Sequence, residues 1–375
     1  MKKTLLAAAL MAGFAGVAHA ETSVTLYGIL DAGIGYQKLK VNDDAGDFSQ
    51  KRTGMINGIQ SGNRWGLKGS EDLGDGLRAV FVLESGFDLG TGKSGQGSRL
   101  FGRQATLGLA GDSWGQLDFG RQTNIASKYL PGVADPFGGG FDQANIGGAF
   151  TAANTARYDN MVMYQTPNFS GFQFGVGYSF NVDGKQGWDV DGADKTNMRG
   201  VTTGLRYANG PVGVAVTYDQ FKTPENLGDS TSVKSWNIGG SYDFEVVKAY
   251  LAFGQTRNGL FASQDYSGSS DVLPNSGNMI GMDGLKINSY LVGVSAPVGA
   301  GTLMASWTMA DMRAVPTMFS GLDMEKKKQH TYSLGYSHPL SKRTNVYAIG
   351  SYAKNVYFVP DAKSTLLGVG LRHQF

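Results

Sequence analysis

Over most of the chain, apolar and polar positions alternate with a period of two, the pattern of strands that carry one apolar face. Phe172, Phe174, Val176, Tyr178 and Phe180 alternate with Gln173, Gly175, Gly177, Ser179 and Asn181. Val212, Val214, Val216 and Tyr218 alternate with Gly213, Ala215, Thr217 and Asp219. Leu303, Ala305, Trp307 and Met309 do the same, as do Tyr332, Leu334 and Tyr336. One face of each segment is aliphatic and aromatic, the other small and polar. That division suits a sheet with lipid on its apolar side and water on the other. The last nine residues carry the same signal. Leu367, Val369, Leu371, His373 and Phe375 share one side, Gly368, Gly370, Arg372 and Gln374 the other. An ordinary C-terminal strand of a soluble β-protein is the competing reading. The chain stops on an aromatic, which favours a membrane strand ending in an interfacial girdle.

The connections alternate short and long. Short turns fall near Asp72–Gly76, Gly111–Gly115, Pro167–Gly171, Ala208–Pro211, Asp243–Val246, Pro297–Gly301 and Leu340–Thr344, where Gly, Pro, Asn and Asp supply the backbone angles that turns need. Longer polar segments fall near 41–53, 89–98, 122–156, 182–197, 222–232, 257–284, 312–327 and 356–362. Eight long loops and seven short turns predict an all-β fold, a 16-stranded antiparallel transmembrane β-barrel with short periplasmic turns and long external loops. Closure removes the sheet edges that lipid cannot satisfy.

The N-terminus fits export. Lys2 and Lys3 precede an apolar run of small residues, and Ala18-His19-Ala20 is an A-x-A cleavage site. Residues 1–20 therefore read as a signal peptide and 21–375 as one barrel domain, with no linker or composition shift to divide it. No later apolar run is long enough for a transmembrane helix, so the expected location is the bacterial outer membrane. The formal charge of +2 belongs to Lys2 and Lys3, and the mature chain is neutral. Bulk charge thus gives no argument for nucleic acid as a partner. Charged residues make up 17% of the chain, against about 25% in soluble domains. There is no cysteine, hence no disulfide or thiolate site.

Catalytic and cofactor chemistry is not indicated. Gly92-Lys93-Ser94 resembles the end of a phosphate-binding loop, but Phe87 stands where the leading glycine is required. Asp189, Asp191 and Asp194 lack calcium-loop spacing and the closing Glu. His330, His338 and His373 have no metal-ligand spacing, and Ser337 and His338 point to opposite faces. The expectation is a channel without catalytic residues, metal or cofactor.

Several blocks in order resemble the trimeric general-diffusion porins of Gram-negative outer membranes, in the branch found in beta-proteobacteria. They are Ser23–Ala32, Asn63–Phe87, Arg103–Gln122, Asp135–Gly140, Arg157–Tyr164 and Gly370–Phe375. The resemblance implies a homotrimer embedded in outer-membrane lipids and passing small ions and hydrophilic solutes. It implies that Phe375, with His373 and Leu371, forms the signal read by the barrel-assembly machinery. It places strand one and the region of Trp65, Gly66 and Gly102–Leu109 at the subunit contact. It also implies that the third long loop, about 122–156, folds into the pore. There its acids, Asp135 or Asp142, face a wall bearing Arg64, Arg103 and Arg157. Parity puts Arg64, Gly66 and Lys68 on the luminal side. Arg103 shares parity with Leu107 and Leu109, so either it faces lipid or the outer face is the small one of Gly102, Thr106 and Gly108. An excess of arginine over loop acids implies a modest anion preference. Two other functions stay open: a substrate-selective barrel with an internal solute site, and a plugged barrel whose loops are the working part.

Overall fold

The computed structural model describes residues 22–43, 46–224, 230–261, 264–268, 279–319 and 325–375, so the signal-peptide assignment lies outside the described residues. The chain forms one closed barrel of sixteen antiparallel strands. They are β1 (Ser23–Asp43), β2 in two pieces (Gly46–Asn57 and Arg64–Gly74), β3 (Leu77–Gly86), β4 (Gln104–Gly111), β5 (Gly115–Thr123), β6 (Arg157–Gln165), β7 (Phe172–Ser179) and β8 (Gly200–Asn209). The second half comprises β9 (Val212–Lys222), β10 (Ser232–Asp243), β11 (Lys248–Leu260), β12 (Ile280–Val298), β13 (Gly301–Ala314), β14 (Lys328–Pro339), β15 (Thr344–Lys354) and β16 (Lys363–Gln374). Each strand pairs with its neighbours in sequence, and β16 pairs with β1 from Ile29↔Gln374 to Lys40↔Lys363. Closure leaves no open edge strand, so the wall's backbone groups find partners on neighbouring strands where lipid offers none.

The seven short turns all lie at one rim, where β2–β3, β4–β5 and the later hairpins reverse. In the first, Asp75 and Gly76 both take positive φ (52° and 74°), the type I′ geometry that an Asp-Gly pair favours. The lipid face is where the alternation placed it: Phe172, Phe174, Val176, Leu367, Val369 and Leu371 are all exposed on the outside.

Of the segment 41–53, expected as a loop, residues 41–43 and 46–53 are strand: β1 and β2 stay paired from Ala32↔Asn57 out to Asp43↔Gly46. The reason is a change of side-chain type at unbroken parity: Asp31, Gly35 and Gln37 already face inward, and Leu39 and Val41 continue that face with apolar residues. Leu39 and Val41 pack onto Tyr266, Ala353 and Val356, and Lys38 and Lys40 take the outer face. The apolar-outside rule ends where the lipid ends.

Inside, the third loop forms two short helices, α1 (Ile125–Tyr129) and α2 (Pro131–Ala134), then three 3-10 turns. Asn124 caps α1 by accepting from the Ser127 amide, and Pro131 opens α2 at a position where its missing N–H costs nothing. The apolar side chains of both helices pack against luminal glycines. A Cβ on Gly175 would lie 2.5 Å from Ile125, on Gly239 2.7 Å from Ala134, on Gly293 2.8 Å from Pro136 and on Gly335 2.9 Å from Phe137. The small luminal face is therefore partly a seat for the loop as well as a wall for water.

Candidate functional site

The loop is anchored at its root by buried polar contacts. The Asn124 amide donates to Asp219 on β9 (2.7 Å) and to the Ala152 carbonyl (2.8 Å), and the Ile125 amide donates to Thr202 on β8 (2.8 Å). Its far end is anchored to the opposite wall. Strand β2 is interrupted at residues 58–63, which bend into the lumen. The Phe141 amide donates to the Gln60 carbonyl at 3.1 Å, and Asn345 on β15 donates to the Gln60 side chain at 2.7 Å. The bend is held by Asp31 on β1, which accepts from the Ser61 amide (2.7 Å) and from the Tyr347 hydroxyl.

Beside this beam lies the main lumen cavity, of about 1170 Å³. Six arginines line it: Arg64, Arg99, Arg103, Arg121, Arg157 and Arg372. Arg103 pairs with Glu84 (2.6 Å), and Arg99 (2.7 Å) and Arg121 both grip Asp159. Arg64, Arg157 and Arg372 make no carboxylate ion pair among the described residues. Arg64 donates to the Gly62 carbonyl, Arg157 to the Arg103 carbonyl and Arg372 to Asn345. The acids lining the cavity are Asp142, Asp183 and Asp265.

Arg64, Arg103, Arg157 and Asp142 all line this one cavity. Arg103 faces the lumen even though Leu107 and Leu109 face out. It sits in a bend before β4, where its amide still donates to the Glu84 carbonyl (3.1 Å) but the extended conformation has ended, so strand parity does not govern its side chain, and the outer face of β4 is the leucine face rather than the small one. Two site residues need correction. Asp135 does not line the cavity: it is buried within the loop and accepts the amides of Phe137 (3.0 Å), Gly139 (2.9 Å) and Ile146 (3.0 Å). Its carboxylate replaces the missing backbone partners of a tight turn, which is why the Asp precedes Pro136-Phe137-Gly138-Gly139. Lys68 is luminal by register but lies below the cavity, with its ammonium 5.6 Å from the centre of the Tyr27 ring.

Sequence reading missed Arg99, Arg121 and Arg372 as lining residues. Arg372 was accessible to it, since it shares the luminal parity of Gly368 and Gly370. Arg99 comes from a loop with no period to read. Burial pushes the Asp142 carboxyl up to about 7, with the nearby Asp265 adding to the effect and Arg52 opposing it. At the other end of the chain, the Phe375 and Gly28 backbones exchange two hydrogen bonds (both 3.1 Å), and the Phe375 ring covers the space a side chain on Gly28 would fill. His373 hydrogen-bonds Thr344 at 2.8 Å, and Leu371 is exposed on the outer wall.

Comparison with known proteins gives a consistent result. A family model of Gram-negative porins matches residues 7–356. An outer membrane porin protein of Bordetella pertussis is 56% identical, with 100% of each chain covered. Outer membrane porin protein 32 of Delftia acidovorans is 34% identical, again over 100% of each. Among solved structures, the anion-selective porin from Comamonas acidovorans superposes with a TM-score of 0.69 at 29% identity, covering 95% of this chain and 100% of that one.

Proposed function

The chain belongs to the Gram-negative porin family, and from that premise we propose that it is a homotrimeric diffusion channel whose constriction, set by loop three, prefers anions. It is an outer-membrane porin, a water-filled β-barrel through which small hydrophilic solutes and ions pass passively. The observation that carries the anion preference is the imbalance around the lumen cavity. Six arginines stand against five carboxylates: Asp142, Asp183 and Asp265 in the lining, with Glu84 and Asp159 paired to arginines behind it. The excess is concentrated on Arg64, Arg157 and Arg372, which no carboxylate neutralises at contact distance among the described residues. A narrow passage focuses such a field more than an open surface does. The anion-selective relative of known structure supports the same sign.

Arg64, Arg103 and Arg157 on one side and Asp142 on the other are the proposed constriction charges. Phe375, with Leu371 and His373, is the proposed assembly signal. The proposed trimer contact is strand one and the region from strand two to strand five, where Trp65, Leu107 and Leu109 face out. Reversal potentials in planar bilayers under a tenfold KCl gradient test the selectivity, with an anion-side potential at 0.1 M that fades toward 1 M expected. Current that saturates with one solute would instead favour a solute-selective channel. A native mass three times that of the chain tests the assembly.

A further inference from the structure

Five of the six cavity arginines are fixed to the wall. Arg64, Arg121, Arg157 and Arg372 belong to β2, β5, β6 and β16, and Arg103 lies one residue before β4. Arg99 comes instead from within the second long loop, residues 87–103, which joins β3 to β4. The loop is tied at its root by the Gly95 amide on the Gly86 carbonyl (2.8 Å) and at its return by the Arg103 amide on the Glu84 carbonyl (3.1 Å). Between these ties Arg99 reaches past β4 and β5 to β6. Its guanidinium donates to both oxygens of Asp159 (2.9 and 2.7 Å) and to Asp183 in the loop after β7 (3.3 Å). Asp159 is shared, because it also accepts from Arg121 (2.5 Å) and from the Gly184 amide (2.8 Å). One carboxylate thus ties the second loop, β5 and the fourth loop together inside the mouth.

The backbone that presents Arg99 is strained. Gln96, Gly97 and Ser98 take positive φ in succession (49°, 72° and 61°). Residues other than glycine visit that region singly, because their Cβ crowds the following carbonyl. Gln96 also buries its Oε1 without a hydrogen-bond partner among the described residues. Strain of this kind persists only where contacts made by the strained form hold it in place. The ion pairs of Arg99 are such contacts, and they sit one residue beyond the strained run.

We infer that Arg99 is a specificity-determining residue carried on a sprung arm. Asp159 and Asp183 clamp the second loop inward, and with the arm lifted the pore entrance loses one positive charge. The channel then has two settings of anion preference, and the position of an external loop selects between them. The inference rests on the anion preference proposed above.

Reversal potentials and hydrogen exchange test it together. Arg99→Ala should lower the anion-to-cation permeability ratio about twofold at 0.1 M KCl, an effect that fades toward 1 M. In an Asp159→Asn/Asp183→Asn protein, which lacks the clamp, adding Arg99→Ala should change the ratio no further. Hydrogen exchange of the detergent-purified oligomer, followed by mass spectrometry, reads the arm itself. Without the clamp, the Gly95 amide should exchange about tenfold faster or more, since hydrogen bonds between charged groups are the strong ones. Ser98→Gly relieves strain and leaves every charge in place, so it should slow that exchange about two- to fivefold, a direction that damage to the fold would not give. An Arg99→Ala shift as large without the clamp as with it would make Arg99 a fixed wall charge and overturn the inference. So would Gly95 exchange that is indifferent to the clamp. Exchange does not depend on the sign of selectivity: a failed anion preference shows in the wild-type reversal potential, and a failed arm shows in the exchange rates.

Discussion

Replacing Asp135 by alanine separates a charge in the pore from a support inside the loop. The carboxylate accepts three amides, at 3.0, 2.9 and 3.0 Å. Each buried N–H left without a partner costs about 1–3 kcal/mol. Burial pushes the Asp135 carboxyl up to about 6, so keeping it ionised already costs something, and the lower end of that range applies. Three amides then come to about 3 kcal/mol, or roughly 150-fold in the ratio of seated to unseated loop. Single-channel recording should show larger or noisier open-channel current for Asp135→Ala, with little change in reversal potential. Asp135→Asn should fall in between, because it supplies one carbonyl oxygen where two carboxylate oxygens were used. Asp142→Ala is the control: a lumen-facing acid, it should move the reversal potential toward anions with quiet current. A quiet, wild-type current in Asp135→Ala combined with a clear anion shift would refute the assignment and make Asp135 a pore charge.

Three further outcomes are expected. Arg157→Ala should lower the anion-to-cation permeability ratio about threefold at 0.1 M salt: one charge at about 7 Å in water is worth ~0.6 kcal/mol, screening halves it, and the two ions feel opposite signs. The change should vanish near 1 M, and an unchanged reversal potential would remove Arg157 from the constriction. Asp142 has its pKa raised to about 7, so it takes up a proton in the seated loop that it would not hold until about pH 4 if unseated. Anion preference should therefore rise as pH falls through 7, loop seating should strengthen over the same window, and Asp142→Asn should flatten the pH profile of the reversal potential. Deleting Phe375 should reduce the yield of heat-modifiable barrel in the outer membrane, because the Gly28 backbone loses both its partners at the closing seam; full yield would count against an assembly role.

Much of the fold was legible because lipid imposes a simple rule on every spanning residue. The alternation in β7, β9, β13 and β14 and the seven turns followed from it directly. Legibility stopped where that rule stops. Leu39 and Val41 keep the inward parity of Asp31 and Gln37 while the outer positions turn to Lys38 and Lys40, so a strand whose apolar residues no longer face out read as a loop. Arg103 escapes parity because it lies in a bend. Asp135 and Asp142 are chemically identical, and only the path of the loop decides which carboxylate meets amides and which meets the lumen. The inward bend at residues 58–63 had no signal of its own, since Gly58-Ile59-Gln60-Ser61-Gly62-Asn63 reads equally well as an external turn. Luminal glycines such as Gly239 and Gly293 read as water-facing, and their role as a seat needs the loop in place.

The bend also bears on the order of assembly. Loop three is rooted on β8 and β9, in the middle of the chain, while its tip rests on Gln60 near the start and, through Gln60, on Asn345 near the end. Asp31 and Tyr347, which brace that rest, come from strands that are neighbours only across β16. The tip therefore has no complete landing place until the first and last strands have met. A nascent barrel with an open seam holds a loop anchored at one end, and the aperture takes its final width only after closure. Pore calibre is thus a readout of completed folding: an incompletely closed barrel would conduct with an unfinished constriction, and sealing the wall also sets the size of the opening it surrounds.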